Sequence, residues 1–236
     1  MNEKIWYLKK CSAFGQLSTE QILDMESQCF SREFARGEVI YLPSDMGDSV
    51  LLLARGRVRI YHVTGEGKQA ILGFMEPGEL FGEVSVFNGS RRDEYAEATE
   101  KSFVVLLPRH VIQQLMLENP SVSMTLTRMF GLRVRLIERR LKSLLFRTSR
   151  ERLIHLLLEL AEKYGRHTPD GIVIGQKISH QDMASIIGAT RETVTITLGE
   201  LQTEGKLKVH KRRITLSNVE NLAVSIDFGP VVPAFV

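Results

Sequence analysis

Nine glycines punctuate residues 37–89 (Gly37, Gly47, Gly56, Gly65, Gly67, Gly73, Gly78, Gly82 and Gly89), whereas Gly131 alone falls between there and Gly165. Glycine at such short intervals destabilises helix and supplies the backbone angles of tight turns, so the first segment can hold only short elements. Between the glycines lie β-type runs at 38–42, 50–53, 58–63 and 70–74, with a further one at 103–107. Short strands at regular spacing separated by turn signals predict a sandwich, jelly roll or barrel. Asp45-Met46-Gly47-Asp48 and Thr64-Gly65-Glu66-Gly67 are expected as turns, and 17–29, with Ser18 as its cap, as a short helix before the sheet.

The glycine-poor stretch reads as helix from Asn119-Pro120, since proline fits a first helical turn. Within it Thr127, Phe130, Val134, Ile137, Leu141, Leu144 and Thr148 recur at steps of three and four, the 3.5-residue period of a coiled-coil seam. Arg128, Arg133, Arg135, Arg139, Arg140 and Lys142 flank it and leave a narrow stripe, which suits a second copy of the helix better than the chain's own barrel. Thr148 and Glu151 have capping-box spacing before the apolar run 153–161, so a new helix and a new domain are expected there. Pro169-Asp170-Gly171 is a turn into a strand at 172–174.

With 43% hydrophobic and 25% charged residues in 236, the composition is globular and excludes disordered, collagen-like and rod-like classes. No window approaches 18 uncharged apolar residues and the N-terminus is polar, so neither a membrane span nor a signal peptide is expected, and the location should be cytoplasmic. Cys11 and Cys29 are too few for a disulfide framework or a four-thiolate site and are expected as reduced, packed thiols. The net charge of +3 hides an asymmetry. Residues 1–120 hold 13 Lys and Arg against 17 Asp and Glu, a net of −4, while 121–236 hold 18 against 11, a net of +7. Basic charge confined to one half points to nucleic acid or membrane.

Residues 179–198 have the grammar of a helix-turn-helix. Ser179 caps a first helix whose buried face is Met183, Ala184, Ile186 and Ile187; Gly188 ends it in a left-handed conformation and Thr190 caps the next. Val194, Leu198 and Leu201 bury the second helix, expected over 190–204, and leave Arg191, Glu192, Thr195, Ile196 and Gly199 for a major groove. Arg191 can donate two parallel hydrogen bonds to guanine, and Glu192 can accept from cytosine N4. Ile196 lies about 200° from Val194 at 100° per residue and is expected either to meet a thymine methyl or to pack after a small helix rotation. Beyond Gly205, residues 206–216 alternate across a basic tip, Lys211, Arg212 and Arg213, as a hairpin wing beside phosphates would.

In this order, the β segment with Phe81-Gly82-Glu83, the long helix and the stretch Gly188-Ala189-Thr190-Arg191-Glu192-Thr193-Val194 resemble the CRP/FNR family of bacterial transcription regulators over residues 10–220. Residues 178–181, 189–191 and 210–215 are also similar to its cyanobacterial nitrogen-control branch. The resemblance implies an α+β fold: a cyclic-nucleotide-binding-like β-roll (jelly roll) over 1–118, a dimerisation helix over 119–147, a winged helix-turn-helix over 148–220 and a tail over 221–236. It implies a homodimer on palindromic double-stranded DNA, joined by Phe130, Val134, Ile137, Leu141 and Leu144, with RNA polymerase as a partner, as for an activator. Arg191 and Glu192 match the family's base-reading positions, with Thr195 and Ile196 beside them. Ser179, His180, Gln181, Thr190, Lys211 and Arg212 are the expected phosphate contacts.

The effector pocket implied by the family falls on Gly82, Glu83, Arg92, Asp93, Arg133, Ile137 and Glu138. Cyclic-AMP receptors follow the arginine by serine, where this chain has Asp93 and Glu94, and carry an adenine-contacting Thr-Ser pair where it has Ile137 and Glu138. Cyclic AMP is therefore not expected. The effector is an unidentified small molecule or none: Arg92 and Arg133 could hold a dicarboxylate, as related arginines hold 2-oxoglutarate in the nitrogen-control branch, or the dimer binds DNA constitutively. The N-terminal cysteine cluster of iron-sulfur relatives is missing, His62 is the one histidine in the roll, and no Lys-Ser/Thr follows Gly65-Glu66-Gly67; neither cluster, haem nor a phosphate loop is expected. A cupin-like metal enzyme fails on the same histidine count. A regulatory subunit that docks a protein through its C-terminal domain is the remaining alternative.

Overall fold

The computed structural model describes residues 3–210 and 213–229, in two compact units, Met1–Arg135 and Leu136–Val236. The division falls inside the long helix rather than at its ends.

In the first unit the apolar runs form two antiparallel four-stranded sheets. One runs β1 (Phe30–Phe34), β8 (Ser102–Pro108), β3 (Ser49–Arg55), β6 (Leu80–Phe81); the other runs β2 (Val39–Tyr41), β7 (Tyr95–Ala98), β4 (Val58–Val63), β5 (Gln69–Met75). β3 shows why 50–53 is apolar at every position. Leu51 and Leu53 join Phe34, Tyr41, Val58 and Ala96 between the sheets, while Val50, Leu52 and Ala54 face a second core. A strand buried on both faces loses its alternation. Leu8 of α1 (Glu3–Lys10), Ile22 of α2 (Thr19–Gln28), Ile112 of α4 (Arg109–Glu118) and Leu126 of α5 (Pro120–Phe146) build that second core. The short α3 (Glu83–Asn88) follows β6 directly.

Ser18 closes a capping box with Gln21, and the Thr64 turn forms through Gly67 N–H donating to the Thr64 carbonyl at 2.8 Å. The turn expected at 45–48 sits earlier: Asp45 N–H donates to the Leu42 carbonyl, the Asp45 carboxylate accepts from Leu42 N–H at 2.8 Å, and Ser44 takes the positive φ. Aspartate is here the acceptor that closes the turn behind it. Cys11 and Cys29 are both free and buried, and burial pushes their thiols up to about 11 and about 12.

α5 is 27 residues long, about 40 Å at 1.5 Å per residue. Val122 and Leu126 are buried in the first unit, and Phe130 is half-buried, edge-on to Phe87 at 5.6 Å. Val134, Ile137, Leu141 and Leu144 are 46–59% exposed. The free stripe is thus shorter than the spacing implied. Its first aromatic packs on the roll, and Thr148 lies off the helix as the cap of α6 (Ser149–Tyr164), in a complete capping box with Glu151.

The second unit continues through β9 (Gly165–Thr168), β10 (Gly171–Ile174), α7 (His180–Ile187), α8 (Arg191–Thr203), β11 (Leu207–His210), β12 (Arg213–Leu216) and α9 (Val219–Val224). Its sheet is ordered β11-β12-β10-β9, and Leu153, Leu157 and Ala161 of α6 fill the core beneath the helix pair. The tail expected from residue 221 is corrected here. Asn218 caps α9, Leu222, Ala223 and Ile226 are buried in the same core, and Phe228 packs edge-on to the His155 ring at 5.0 Å. Val219-x-x-Leu222-Ala223-x-x-Ile226 has the helical spacing that calls for a core; residues 230–236 lie outside the described ones. Among the described residues no helix is long and apolar enough to cross a membrane.

His155 carries a pH prediction. Burial and the nearby Arg147 and Arg139 lower its pKa from 6.5 to about 4. The unfolded chain therefore takes the proton first, and stability present above pH 6.5 is lost as pH falls toward 4, by roughly 3 kcal/mol for this group. Urea midpoints between pH 7 and 4.5 should fall less steeply in His155→Leu than in the parent; equal slopes would contradict the burial of a neutral imidazole.

Candidate nucleic-acid interface and effector pocket

Local sequence forces α7 and α8 into an angle. Ser179 Oγ accepts from Asp182 N–H at 3.0 Å and Thr190 Oγ1 from Thr193 N–H at 3.2 Å, which starts both helices. Between them Gly188 adopts φ 63°, ψ 47°, and its N–H donates to the Ala184 carbonyl. A Cβ there would meet Leu144 at an ordinary 3.6 Å, so the cost of Gly188→Ala is the left-handed backbone alone, about 1–2 kcal/mol. Thermal unfolding should register it as a drop of several degrees, while Gly188→Asn should lose less; an unchanged midpoint for alanine would contradict the assignment.

α8 has two faces. Val194, Thr197, Leu198 and Leu201 are buried, and Arg191, Glu192, Thr195, Ile196 and Gly199 are exposed, Ile196 at 62%. Thr197 is a buried residue that the spacing argument did not include. Contacts of the Glu192 carboxylate with its own backbone N–H and the Thr190 hydroxyl hold its pKa below the usual range, so it stays an acceptor. Two site residues are tied together: His180 Nδ1 lies 2.8 Å from Thr195 Oγ1, which itself lies 2.9 Å from the Arg191 carbonyl. The single hydroxyl proton goes to the carbonyl, so Nδ1 donates to Thr195. The exposed Thr195 hydroxyl then has one acceptor lone pair left and no proton to donate. Gln181 and Ser179 are exposed near the start of α7, although the Ser179 hydroxyl already donates to Asp182 at 2.7 Å.

The wing forms as β11 and β12, with His210 opposite the exposed Arg213 at its tip; Lys211 and Arg212 lie outside the described residues. Sequence reasoning missed the clamp behind α8. Arg150 in the first turn of α6 donates to Glu200 at 2.8 Å and to Glu204 at 2.7 Å. Acidic residues at 200 and 204, four apart on one helical face, were the available signal.

In the roll, Arg92 is buried and stacked over Tyr41 at 4.6 Å. It donates to the carbonyls of Gly82 and Ser49 and to Ser85 Oγ. Burial is the main cause lowering its pKa, and its Nε has no hydrogen-bond partner. Gly82 holds a left-handed φ of 70°, and a Cβ there would collide with the Arg92 guanidinium. Buried Glu83 is ion-paired with Arg133, which also donates to the Leu80 carbonyl at 2.7 Å. The adjacent carboxylates differ. Asp93 is exposed, and it is Glu94 that turns inward, accepting from Tyr41 Oη at 2.9 Å. Both precede β7, which begins at Tyr95, and the bend at Glu94 turns its carboxylate toward Tyr41. Ile137 and Glu138 lie past Arg135 in the second unit, both exposed.

Residues 31–119 match the cyclic nucleotide-binding domain family, and residues 151–224 the Crp-like helix-turn-helix domain family. A global nitrogen regulator of Synechococcus elongatus is 33% identical over 188 residues, covering 79% of this chain and 85% of that protein. The chain belongs to the CRP/FNR family of transcription regulators. A CRP-like cAMP-activated global transcriptional regulator of Mycobacterium tuberculosis is 24% identical over 92% of this chain and 96% of its own. Among solved structures, FixK2 from Bradyrhizobium japonicum superposes with a TM-score of 0.72 at 27% identity, covering 83% of this chain and 96% of that one. A CooA variant from Carboxydothermus hydrogenoformans, at 22% identity with 89% and 91% covered, shares the fold with a TM-score of 0.77.

As a CRP/FNR regulator the chain binds DNA through its helix-turn-helix; of the +7 of the second half, residues 121–147 carry +6 and residues 148–236 carry +1. Its relatives are transcription regulators rather than enzymes. Among the described residues no group of three or more His, Cys, Asp or Glu is placed to hold a metal ion.

Proposed function

We propose that this CRP/FNR regulator acts in the cytoplasm as a homodimer that reads a palindromic operator with α8 and engages RNA polymerase there. One observation carries the reading: α8 is buried along Val194, Leu198 and Leu201 and open along Arg191, Glu192 and Ile196, which sets a bidentate donor, an acceptor and an apolar side chain on the side a major groove would meet. The exposed stripe Val134, Ile137, Leu141 and Leu144 supports the dimer. Ser179, His180, Gln181 and Thr190, at the N-termini of α7 and α8 where first-turn backbone N–H groups have no intrahelical partner, are assigned to phosphates together with the wing residues Lys211 and Arg212. Selection of bound sequences from a random duplex pool should return an inverted repeat with half-sites about one helical turn apart. Recovery of an unrepeated motif, or of none, would refute the dimeric reading.

The charged groups of the roll favour an effector other than cyclic AMP. Glu83 and Arg133 satisfy each other, and inward-turned Glu94 stands where a cyclic phosphate would add like charge. Arg92, held by neutral acceptors with Nε left over, is the cation an anionic effector would use. A dicarboxylate clamped by Arg92 and Arg133 requires the Glu83 pair to open; without that opening, DNA binding is effector-independent. A ligand that binds the folded state raises its stability, so melting with cyclic AMP and with 2-oxoglutarate separates these cases. Stabilisation by cyclic AMP would overturn the assignment.

A further inference from the structure

Beside the end of α5 the second unit contains a cavity of about 400 Å3, lined by Arg139, Lys142, Phe146, Arg147, His155 and Phe228 among others. That volume is within the range of small-molecule sites. The DNA reading and the dimer stripe leave it unexplained. At 100° per residue, Arg139, Lys142 and Phe146 point about 140–200° away from Ile137, on the side of α5 opposite Val134, Ile137, Leu141 and Leu144. Phe146 is therefore an aromatic ring 82% exposed with no role in the stripe.

The electrostatics of the lining are uneven. Glu162, also in the wall, lies 3.9 Å from Arg139, and Asp227 is exposed. Arg147 donates to the Ile226 carbonyl, a neutral acceptor, at 2.8 Å. Lys142 makes no ion pair among the described residues. The cations exceed the carboxylates, and the two that lie outside the ion pairs of the wall, Lys142 and Arg147, stand beside two phenyl rings. His155, kept neutral at physiological pH by burial, adds a flat face edge-on to Phe228 rather than a further charge.

The geometry points to a second ligand site in the DNA-binding half, between α5, α6 and the segment after α9, that takes a small aromatic carboxylate: its ring against Phe146 and Phe228, its anion toward Lys142 and Arg147. Such a ligand joins the end of α5 to the helix-turn-helix core, and its binding does not depend on the operator reading or on the roll.

The test uses 2-naphthoate on the full chain, by calorimetry and thermal unfolding, with neutral 2-naphthamide as the comparison. Binding with a dissociation constant below about 1 mM is expected, with melting raised by about 3–6 °C at tenfold excess over that constant. The amide should bind at least about tenfold more weakly, since it lacks the charge. Lys142→Glu should weaken naphthoate about tenfold or more and Phe146→Ser about fivefold, while Leu117→Ser, which removes an equally exposed apolar side chain elsewhere, should leave it unchanged. Equal affinity for amide and carboxylate, indifference to both cavity substitutions, or no binding below 1 mM would each overturn the proposal. The amide comparison requires no variant to fold.

Discussion

Arg191→Ala should remove much of the sequence preference while leaving a weak, salt-sensitive attachment to any duplex. A bidentate arginine–guanine contact contributes about 1–3 kcal/mol of discrimination. A dimer uses it twice, so the expected loss on the preferred operator is about 2–6 kcal/mol, or roughly 30-fold to 10^4-fold. Arg191 is exposed in the first turn of α8, so the fold should survive and the melting temperature should stay within a degree or two. Arg191→Lys should recover little, because one ammonium cannot reproduce the planar fork. Fluorescence anisotropy with specific and scrambled duplexes measures both affinities. Equal losses on the two would make Arg191 a phosphate contact; an unchanged specific affinity would remove it from the interface.

The second large effect is on stability. Arg133→Met leaves Glu83, only 5% exposed, without the cation that neutralises it. Breaking a buried pair from one side costs about 3–5 kcal/mol; with the Arg133 side chain about a third exposed, the lower end, about 3 kcal/mol, is expected. Replacing both partners, as in Glu83→Leu with Arg133→Leu, should return most of that loss, since two apolar groups leave no stranded charge. Urea unfolding of the two single variants and the double supplies the comparison. A cost below 1 kcal/mol for Arg133→Met would mean that the pair is solvated and that Glu83 is free to meet a ligand.

The elements legible in the sequence were those whose own residues state the rule. Val58–Val63 is bounded by glycines, Ser18, Thr148, Ser179 and Thr190 cap helices through their side chains, and Gly188 supplies the one backbone angle a helix-turn-helix corner needs. What escaped was set by tertiary partners. β1 is exposed at four of five positions, and β7 has low-propensity alanines at its buried positions, with Glu97 between them held by Arg59 at 2.9 Å. The roll cluster was legible as residue types but not as geometry. Adjacent Asp93 and Glu94 look equivalent in sequence, and only the folded path of the chain into β7 decides that Glu94 reaches Tyr41. The carboxylate partner of Arg133 is 50 residues away, a pairing no local pattern encodes. α9 was not legible because its apolar spacing, Val219, Leu222, Ala223 and Ile226, runs on into the apolar residues that follow it.

The central claim, a dimer whose two α8 helices enter successive major grooves of one face of DNA, is tested most directly by half-site spacing. Two duplexes are compared by anisotropy from 50 to 200 mM salt: the selected palindrome, and the same palindrome with five base pairs inserted at its centre, which turns one half-site to the opposite face. The intact site should bind tightly, with an affinity that falls steeply as salt rises, and the insertion should reduce binding to that of a single half-site, about a hundredfold or more. Equal affinity for the two duplexes would show that each helix-turn-helix reads alone and would contradict the account.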